Sequence, residues 1–174
     1  MEKNLVLIGM MGSGKSTIGR IIAKNTKLKF YDVDKIIENE NNLQISEIFK
    51  KKGEDYFRKL EESISVRILK SSKSIISLGG GAFLNYKIRN EIKINSISVW
   101  LKWGSDILIK RIKNSKTRPL VNKLSEKELI KLIDNRTKIY AKADYKIICD
   151  KLNKEKIVKK ILEIYKNEKN NSKN

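Results

Sequence analysis

A nine-residue stretch near the start of the chain, Gly9 to Thr17, carries the residue types that bind phosphate. It reads Gly-Met-Met-Gly-Ser-Gly-Lys-Ser-Thr and follows an apolar run at residues 5–8. The GxxxxGKS spacing between a predicted strand and a predicted helix is the Walker A pattern. Its glycines let backbone N–H groups turn toward phosphate oxygens, while Lys15 would contact the β- and γ-phosphates and Ser16 would hold Mg²⁺. The predicted nucleotide contacts in the loop are Gly12, Ser13, Gly14, Lys15, Ser16 and Thr17.

Two carboxylates end the second apolar run. Asp32 and Asp34 belong to a strand predicted at residues 30–34. Alternate residues of a strand point to opposite faces, so the two side chains should diverge if the strand stays regular, and both can reach the cleft at a frayed end. One would then support Mg²⁺, and the other would orient or deprotonate an acceptor hydroxyl group. The alternative is a pair of ordinary turn carboxylates.

Arginine is used sparingly, since only seven of the 39 basic residues are arginine. In a chain that defaults to lysine, a retained arginine is favoured where a planar guanidinium group must grip a carboxylate or phosphate. Arg58 lies one helical turn from Glu61, which could hold its guanidinium group in place. Arg118 precedes Pro119 in a polar segment that we interpret as a mobile lid. The seven are Arg20, Arg58, Arg67, Arg89, Arg111, Arg118 and Arg136.

Composition narrows the classes of protein that this chain can represent. The net charge is +19 over 174 residues, but the lysines are scattered and form no basic stripe with interleaved aromatics. A composition bias is therefore favoured over a specific nucleic-acid-binding surface. The absence of histidine excludes imidazole catalysis.

Two features of the sequence indicate where the protein is located. No apolar run approaches the ~20 residues of a membrane span. The lone Cys149 predicts a reducing compartment and a core thiol, so we expect a cytoplasmic protein without a membrane partner.

Apolar runs and amphipathic segments alternate along the chain, which predicts an α/β fold: a three-layer sandwich around a five-stranded parallel sheet. The strands are predicted at residues 5–8, 30–34, 74–78, 97–101 and 145–149. Ligands bind such sheets at the carboxyl ends of the strands. The phosphate loop, the two aspartates and the triple glycine Gly79 to Gly81 should therefore converge on one edge.

A single domain is predicted at residues 1–165, with the lid at about 113–124. Short helices at about 34–61 are separated at Asn42 and interrupted again at Gly53. Ser125 and Glu128 have the spacing of a capping box and predict a helix that runs through Tyr140. The last helix is predicted at residues 155–165. The polar residues 166–174 are expected to be a disordered tail.

Taken together with the phosphate loop, six further motifs resemble those of the bacterial shikimate kinases. The resemblance covers residues 4 to about 165, in the family's order and with its approximate spacing. Each motif is weak alone, but the combination is very specific. The motifs are Asp32-x-Asp34, Ile45-Ser-Glu-Ile-Phe49, Gly53-Glu-x-x-Phe57-Arg58-x-x-Glu61, Gly79-Gly80-Gly81, Arg118-Pro119-Leu120 and Arg136-x-x-x-Tyr140-x-x-x-Asp144.

The resemblance implies a P-loop fold of the nucleoside-monophosphate-kinase type with a mobile lid. It implies transfer of the γ-phosphoryl group of ATP to the 3-hydroxyl of shikimate, giving 3-phosphoshikimate and ADP in chorismate and aromatic amino-acid biosynthesis. One Mg²⁺ would accompany ATP, bound directly by Ser16 and through water by Asp32. The family's habit also implies a monomer.

The same resemblance assigns roles to individual residues. Lys15, Asp34 and Arg118 match catalytic positions, with Arg118 on the lid and Arg111 beside adenine as further ATP contacts. Glu61 would orient Arg58. The residues that match shikimate contacts are Asp34, Phe49, Phe57, Arg58, Gly79, Gly80, Gly81 and Arg136.

Two other functions stay open. One is another small-molecule P-loop kinase, such as a gluconate-type enzyme, although the Phe57-Arg58-x-x-Glu61 helix and the triple glycine argue against it. The other is a nucleic-acid-binding ATPase, motivated by the +19 charge.

The chain departs from the family's motifs at two places. Asn42 stands where the family often has glycine. Residues 150–153 lack a threonine that often follows the aspartate, which leaves the adenine-side contacts open.

Overall fold

The computed structural model describes residues 3–71, 73–114 and 124–171 of the chain. Within them, five parallel strands form one sheet in the order β2-β3-β1-β4-β5. This confirms the predicted α/β architecture, and the observed strands match the predicted ones to within one or two residues. The strands are β1 Asn4–Ile8, β2 Lys29–Asp32, β3 Ser74–Ser77, β4 Ser96–Lys102 and β5 Tyr145–Ile148.

The helices lie on both faces of the sheet, in two layers. A short 3₁₀ turn, Ala82–Leu84, follows the triple glycine. The predicted lid arginine Arg118 falls on residues 115–123, outside the described part of the chain. The helices are α1 Lys15–Thr26, α2 Val33–Asn41, α3 Ile45–Leu69, α4 Tyr86–Asn95, α5 Ser105–Lys113, α6 Glu126–Tyr140 and α7 Lys154–Asn171.

The central strand shows why the sheet needs cover on both sides. Successive residues of a strand point to opposite faces, and every residue of β1 is buried. Val6 and Ile8 face a cluster formed with helices α2 to α6. Leu5 and Leu7 face the opposite cluster, formed with α1 and α7. Burial on both faces accounts for the continuous apolar runs of the strands.

Three turns follow the chemistry of their residues. Asn42 ends α2 with φ 50°, a left-handed conformation that asparagine tolerates. Gly53 has φ 81° and ψ 173°, outside the helical region, so it divides α3 into two helical segments that meet at a kink. Ser125 begins α6 with the expected capping box to Glu128. The breaks predicted at Asn42 and Gly53 are therefore both confirmed.

Two predicted element boundaries were wrong. Asp34 lies in the first turn of α2, and the strand before it ends at Asp32, whose side chain caps the helix. At the other end of the chain, α7 continues through residue 171, so residues 166–171 are helical instead of a disordered tail. Within this extension Glu168 accepts a 2.6 Å hydrogen bond from Tyr145 of β5, which contributes to holding the end of the helix against the sheet.

Cys149 is a core residue, as its sequence context predicts. Its side chain is fully buried, and this burial raises the pKa of the thiol to about 12. Among the described residues, none of the helices combines the length and apolar character that a membrane span requires.

Candidate active site

The phosphate loop joins β1 to α1 and has the backbone geometry that its glycines predict. Gly9, Gly12 and Gly14 have φ values of 146°, 77° and 87°, which residues with a Cβ atom rarely adopt. Lys15 is the first residue of α1, so the unpaired N–H groups and positive dipole end of this helix lie at the loop. The Lys15 ammonium group donates to the carbonyls of Gly9 at 2.8 Å and Met10 at 3.1 Å. These bonds hold its charge over the loop.

Three side chains with oxygen atoms that can bind a metal ion lie close together. Asp32 ends β2, Ser77 ends β3, and Ser16 is in the first turn of α1. Asp32 pairs in register with Ser77, whose hydroxyl oxygen is 3.4 Å from that of Ser16. Asp32 also lies 4.0 Å from the Arg20 guanidinium group. Mg²⁺ prefers one or two protein oxygens together with phosphate oxygens and waters, and Ser16 and Asp32 fit this requirement. Ser77 is an addition that the sequence motifs did not indicate, because a strand serine carries no local signal.

Side chains from α2, α3 and α6 meet at the triple glycine. We call this group the acceptor half; it consists of Asp34, Phe49, Phe57, Arg58, Glu61 and Arg136 around Gly79 to Gly81. A Cβ atom at Gly79 would lie 2.6 Å from both Asp34 Oδ1 and Glu61 Oε1. At Gly81 it would lie 2.5 Å from Nη1 of Arg58. Two carboxylates and a guanidinium group thus approach the backbone of this segment directly, and a side chain at Gly79 or Gly81 would displace them.

Gly80 connects this acceptor half to the phosphate loop. A Cβ atom placed on Gly80 would be 3.1 Å from the backbone nitrogen of Met11 and 3.6 Å from Nη1 of Arg136. Its carbonyl accepts hydrogen bonds from Tyr140 Oη and, at 3.4 Å, from Arg136 Nη1. The fold therefore places the phosphate loop and Arg136, the predicted substrate arginine, beside Gly80. Tyr140 follows Arg136 by one helical turn, and that spacing could have indicated its role.

Arg58 is held between two glutamates of its own helix. Its Nη1 donates to Glu61 at 2.6 Å, while Nε and Nη2 donate to Glu54 at 3.1 and 3.0 Å. Glu61 is 2 % exposed. Burial raises the pKa of Glu61, and the Arg58 guanidinium group opposes that rise. Glu61 therefore contacts the Arg58 guanidinium group directly, as their spacing on the helix allows, and its role in orienting that group for a substrate stays a prediction.

Arg136 has a different environment. It is 9 % exposed, and its Nε has no hydrogen-bond partner within the described part of the chain. Besides Gly80, its Nη1 contacts the Met10 sulfur at 3.6 Å. Burying a guanidinium group with unsatisfied donors costs free energy unless an anion pairs with it. The side chain is thus suited to receive a carboxylate.

Two aromatic rings adjoin these polar groups. Phe49 and Phe57 lie on the two sides of the α3 kink, and their ring centroids are 4.6 Å apart. The Arg58 guanidinium carbon is 5.2 Å from the centroid of the Phe57 ring. The kink at Gly53 allows the two segments of α3 to contribute both rings and Arg58 to the same region.

On the nucleotide side, Arg111 of α5 contacts the phosphate loop, while its predicted place beside adenine stays a prediction. Its Nη1 donates to the Gly12 carbonyl at 3.3 Å. Arg118, the remaining predicted nucleotide contact, lies outside the described residues. The described side chains therefore form two adjoining halves: a phosphate loop on one side and, on the other, a group of two arginines, two carboxylates and two aromatic rings.

Comparison with known proteins agrees with this arrangement. The family model for shikimate kinase matches residues 11–166. A shikimate kinase from Bartonella quintana (strain Toulouse) is 41% identical over 167 residues, which are 95% of this chain and 80% of that protein. The structure of a shikimate kinase from Acinetobacter baumannii in complex with shikimate superimposes with a TM-score of 0.89 and 30% identity, over 96% of this chain and 94% of that chain.

A gluconokinase from Sinorhizobium meliloti 1021 superimposes with a TM-score of 0.64 at 17% identity, over 98% of this chain and 95% of that chain. At this identity the likeness extends to the fold alone. The comparisons thus separate the two small-molecule kinase interpretations that the phosphate loop by itself left open. The chain belongs to the shikimate kinase family.

Proposed function

We propose that this chain transfers the γ-phosphoryl group of ATP to the 3-hydroxyl of shikimate, giving ADP and 3-phosphoshikimate. The observation that carries the proposal is the approach of Asp34, Arg58 and Arg136 to the triple glycine, next to the phosphate loop. Shikimate is a small ring that bears hydroxyl groups and one carboxylate. A site for it needs guanidinium groups for the anion and a carboxylate for the hydroxyls.

In the acceptor half, Arg58 and Arg136 bind the substrate carboxylate. Glu61 fixes the orientation of Arg58, while the buried Nε of Arg136 gains the partner that it lacks among the described residues. Phe49 and Phe57 contact the ring of the substrate, and Gly79 to Gly81 offer backbone N–H groups. Asp34 accepts hydrogen bonds from the substrate hydroxyls and receives the proton of the attacking hydroxyl group.

In the donor half, Lys15 and the N-terminus of α1 bind the β- and γ-phosphates. The hydroxyl oxygen attacks the γ-phosphorus, and the bond from that phosphorus to the β–γ bridging oxygen breaks, so ADP leaves. Little covalent chemistry is required of the protein, and catalysis consists mainly of positioning and charge neutralisation. Ser16 and Asp32 would hold Mg²⁺, which supplies charge neutralisation to the phosphates. Arg111 flanks adenine, and Arg118 acts from the lid.

The test is a coupled assay of ADP release with purified protein and MgATP across several acceptors. We expect turnover with shikimate and little with gluconate or nucleoside monophosphates. A protein that is inactive with shikimate but phosphorylates another acceptor would overturn the proposal. The same assay with added duplex or single-stranded DNA addresses the nucleic-acid alternative, which requires DNA-stimulated hydrolysis at physiological salt.

The monomeric state, the cytoplasmic location and the lid remain predictions. The scattered lysines leave no specific nucleic-acid partner to propose. Size-exclusion chromatography with light scattering would determine the oligomeric state, and a mass of twice 20.2 kDa would contradict the expected monomer.

A further inference from the structure

Trp103 contacts the phosphate loop from a distant part of the chain. It lies in the turn between β4 and α5, and its indole Nε1 donates a 3.0 Å hydrogen bond to the carbonyl of Ser13. The neighbouring Gly104 nitrogen donates to Asp150 at 2.7 Å, which anchors the turn. Trp103 also packs against both core clusters. The ring is therefore a fixed connection between the core and the loop.

Arg111 adds a second connection of the same kind. Its guanidinium carbon lies 3.8 Å from the centroid of the Trp103 ring, and its Nη1 donates to the Gly12 carbonyl at 3.3 Å. The indole is a favourable surface for a guanidinium group, because the negative face of the ring attracts the cation. Trp103 thus acts on the loop directly through Ser13 and indirectly through Arg111.

Both side chains donate hydrogen bonds to carbonyl oxygens of the phosphate loop, which would otherwise be free to turn toward the phosphate. A carbonyl oxygen that turned into the loop would repel a phosphate oxygen, whereas the N–H groups attract it. The carbonyls of Gly12 and Ser13 are each paired to a side chain, so these peptide groups are fixed before nucleotide arrives. The Ser13 carbonyl shares its peptide group with the Gly14 N–H, whereas the Ser13 N–H already donates to the Met10 carbonyl. A loop whose N–H donors are already fixed loses less conformational entropy when the nucleotide binds.

We propose that Trp103 is a positioning residue for the nucleotide, which fixes the phosphate loop and presents the Arg111 guanidinium group as a stacking surface for adenine. The inference rests on the proposed use of ATP. In the proposed order of layers the guanidinium group lies between the indole ring, which covers one of its faces, and the purine ring, which would stack on the other. Trp103 touches neither phosphate nor adenine itself.

The direct test is ADP affinity, measured by titration calorimetry with Mg²⁺ present and no shikimate. Trp103→Phe keeps a ring under Arg111 but removes the donor to Ser13, and we expect ADP affinity to fall about 5-fold, the effect of one hydrogen bond. Trp103→Leu removes both connections, and we expect a fall of about 50-fold. Tyr165→Phe is the matched control. It removes an aromatic donor to the Lys3 carbonyl, a 3.1 Å bond far from the loop, and should leave ADP affinity unchanged.

Steady-state kinetics separate positioning from general loosening. In both Trp103 variants the KM for ATP should rise, while the KM for shikimate stays within about twofold, because the acceptor half is built from other elements. Equal rises in both KM values, or ADP affinity equal to that of the wild type in Trp103→Leu, would overturn the inference. A double-mutant cycle with Arg111→Lys adds a check, since stacked partners should give non-additive losses. Additive losses would contradict the stacking role.

Fluorescence supplies a readout that a purely structural role would not change. The other tryptophan, Trp100, is 4 % exposed in the core. We expect tryptophan emission to change when ADP is added to the wild type and to stay constant in Trp103→Phe. A wild-type protein that does not bind ADP would instead overturn the proposed function, which is a different outcome from a variant that binds ADP normally.

Discussion

The phosphate loop takes its binding groups from nine consecutive residues, whereas the acceptor half takes its groups from four separate segments. In the loop the groups are mostly backbone N–H groups, set by positive φ values at three glycines. In the acceptor half they are side chains from α2, α3 and α6, gathered around the backbone of the triple glycine. Backbone recognition of phosphate can be local, because every residue carries an N–H group. Recognition of a particular acceptor needs different side chains at fixed distances, and only the tertiary fold supplies these.

The two halves also differ in how their charges are held. Lys15 bonds to carbonyls of its own loop. Arg58 is held by Glu54 and Glu61, and Arg136 is buried beside Gly80 with its Nε unpaired in the described part of the chain. Substitutions in one half should therefore change the kinetic parameters of one substrate and spare those of the other.

The largest effect is expected for Lys15→Ala. Removing a charge that acts on the transferring phosphoryl group should lower kcat by about 10³-fold, with far-ultraviolet circular dichroism unchanged. Single-turnover assays with saturating ATP and shikimate measure this loss. If kcat falls by less than about tenfold, Lys15 is not the main phosphate charge of the donor half.

Arg136→Lys should act on the acceptor half alone. Lysine keeps the positive charge but loses the planar fork, so the KM for shikimate should rise about 30-fold while the KM for ATP stays constant. The control is Arg67→Lys, since Arg67 pairs with Glu40 on the exposed surface. An unchanged shikimate KM in Arg136→Lys would remove this residue from the acceptor site.

Gly79→Ala tests the close approach at the triple glycine. The new Cβ atom would lie 2.6 Å from the carboxylate oxygens of both Asp34 and Glu61, so both must move. We expect the KM for shikimate to rise about tenfold, the effect of losing one good hydrogen bond to a charged group. Gly104→Ala is the matched control, because its Cβ atom would meet its nearest neighbour at an ordinary 3.6 Å. Equal kinetics for the two variants would show that Asp34 is not positioned by Gly79.

The smallest effect is expected for Glu61→Gln. The amide keeps the shape and one hydrogen bond to Arg58 but loses the charge, so the KM for shikimate should rise about 5-fold with little change in kcat. Glu62→Gln serves as the control, because Glu62 follows Glu61 on α3 but pairs with Lys87 of the neighbouring helix α4. A change in the ATP KM instead of the shikimate KM would mean that the two halves are not independent.

Much of the fold could be predicted from the sequence, because a strand that is buried on both faces consists of consecutive apolar residues. One exception was Asp34. The Asp-x-Asp pattern at the end of β2 looks like the end of a strand, but Asp32 caps α2, and Asp34 belongs to the first helical turn. Negative charges near a helix N-terminus are favourable, and this competing effect decided the conformation.

Other parts of the site had no local signal. Ser77 and Trp103 lie next to the loop through strand order and turn position, which the sequence does not display. The helical extension of α7 depends in part on the contact of Glu168 with Tyr145, 23 residues earlier. Polar composition alone indicated a tail, because it does not include such long-range contacts.

The sequence by itself determined the phosphate loop, since spacing and glycine content fix a backbone conformation within a few residues. It also supplied the residue types that a carboxylated, hydroxylated acceptor requires. Only the tertiary structure decided that Asp34, Glu61, Arg58 and Arg136 meet at Gly79 to Gly81. The physical reason is distance: parallel strands in the order β2-β3-β1-β4-β5 bring segments about a hundred residues apart to one edge of the sheet, and local rules do not specify that order.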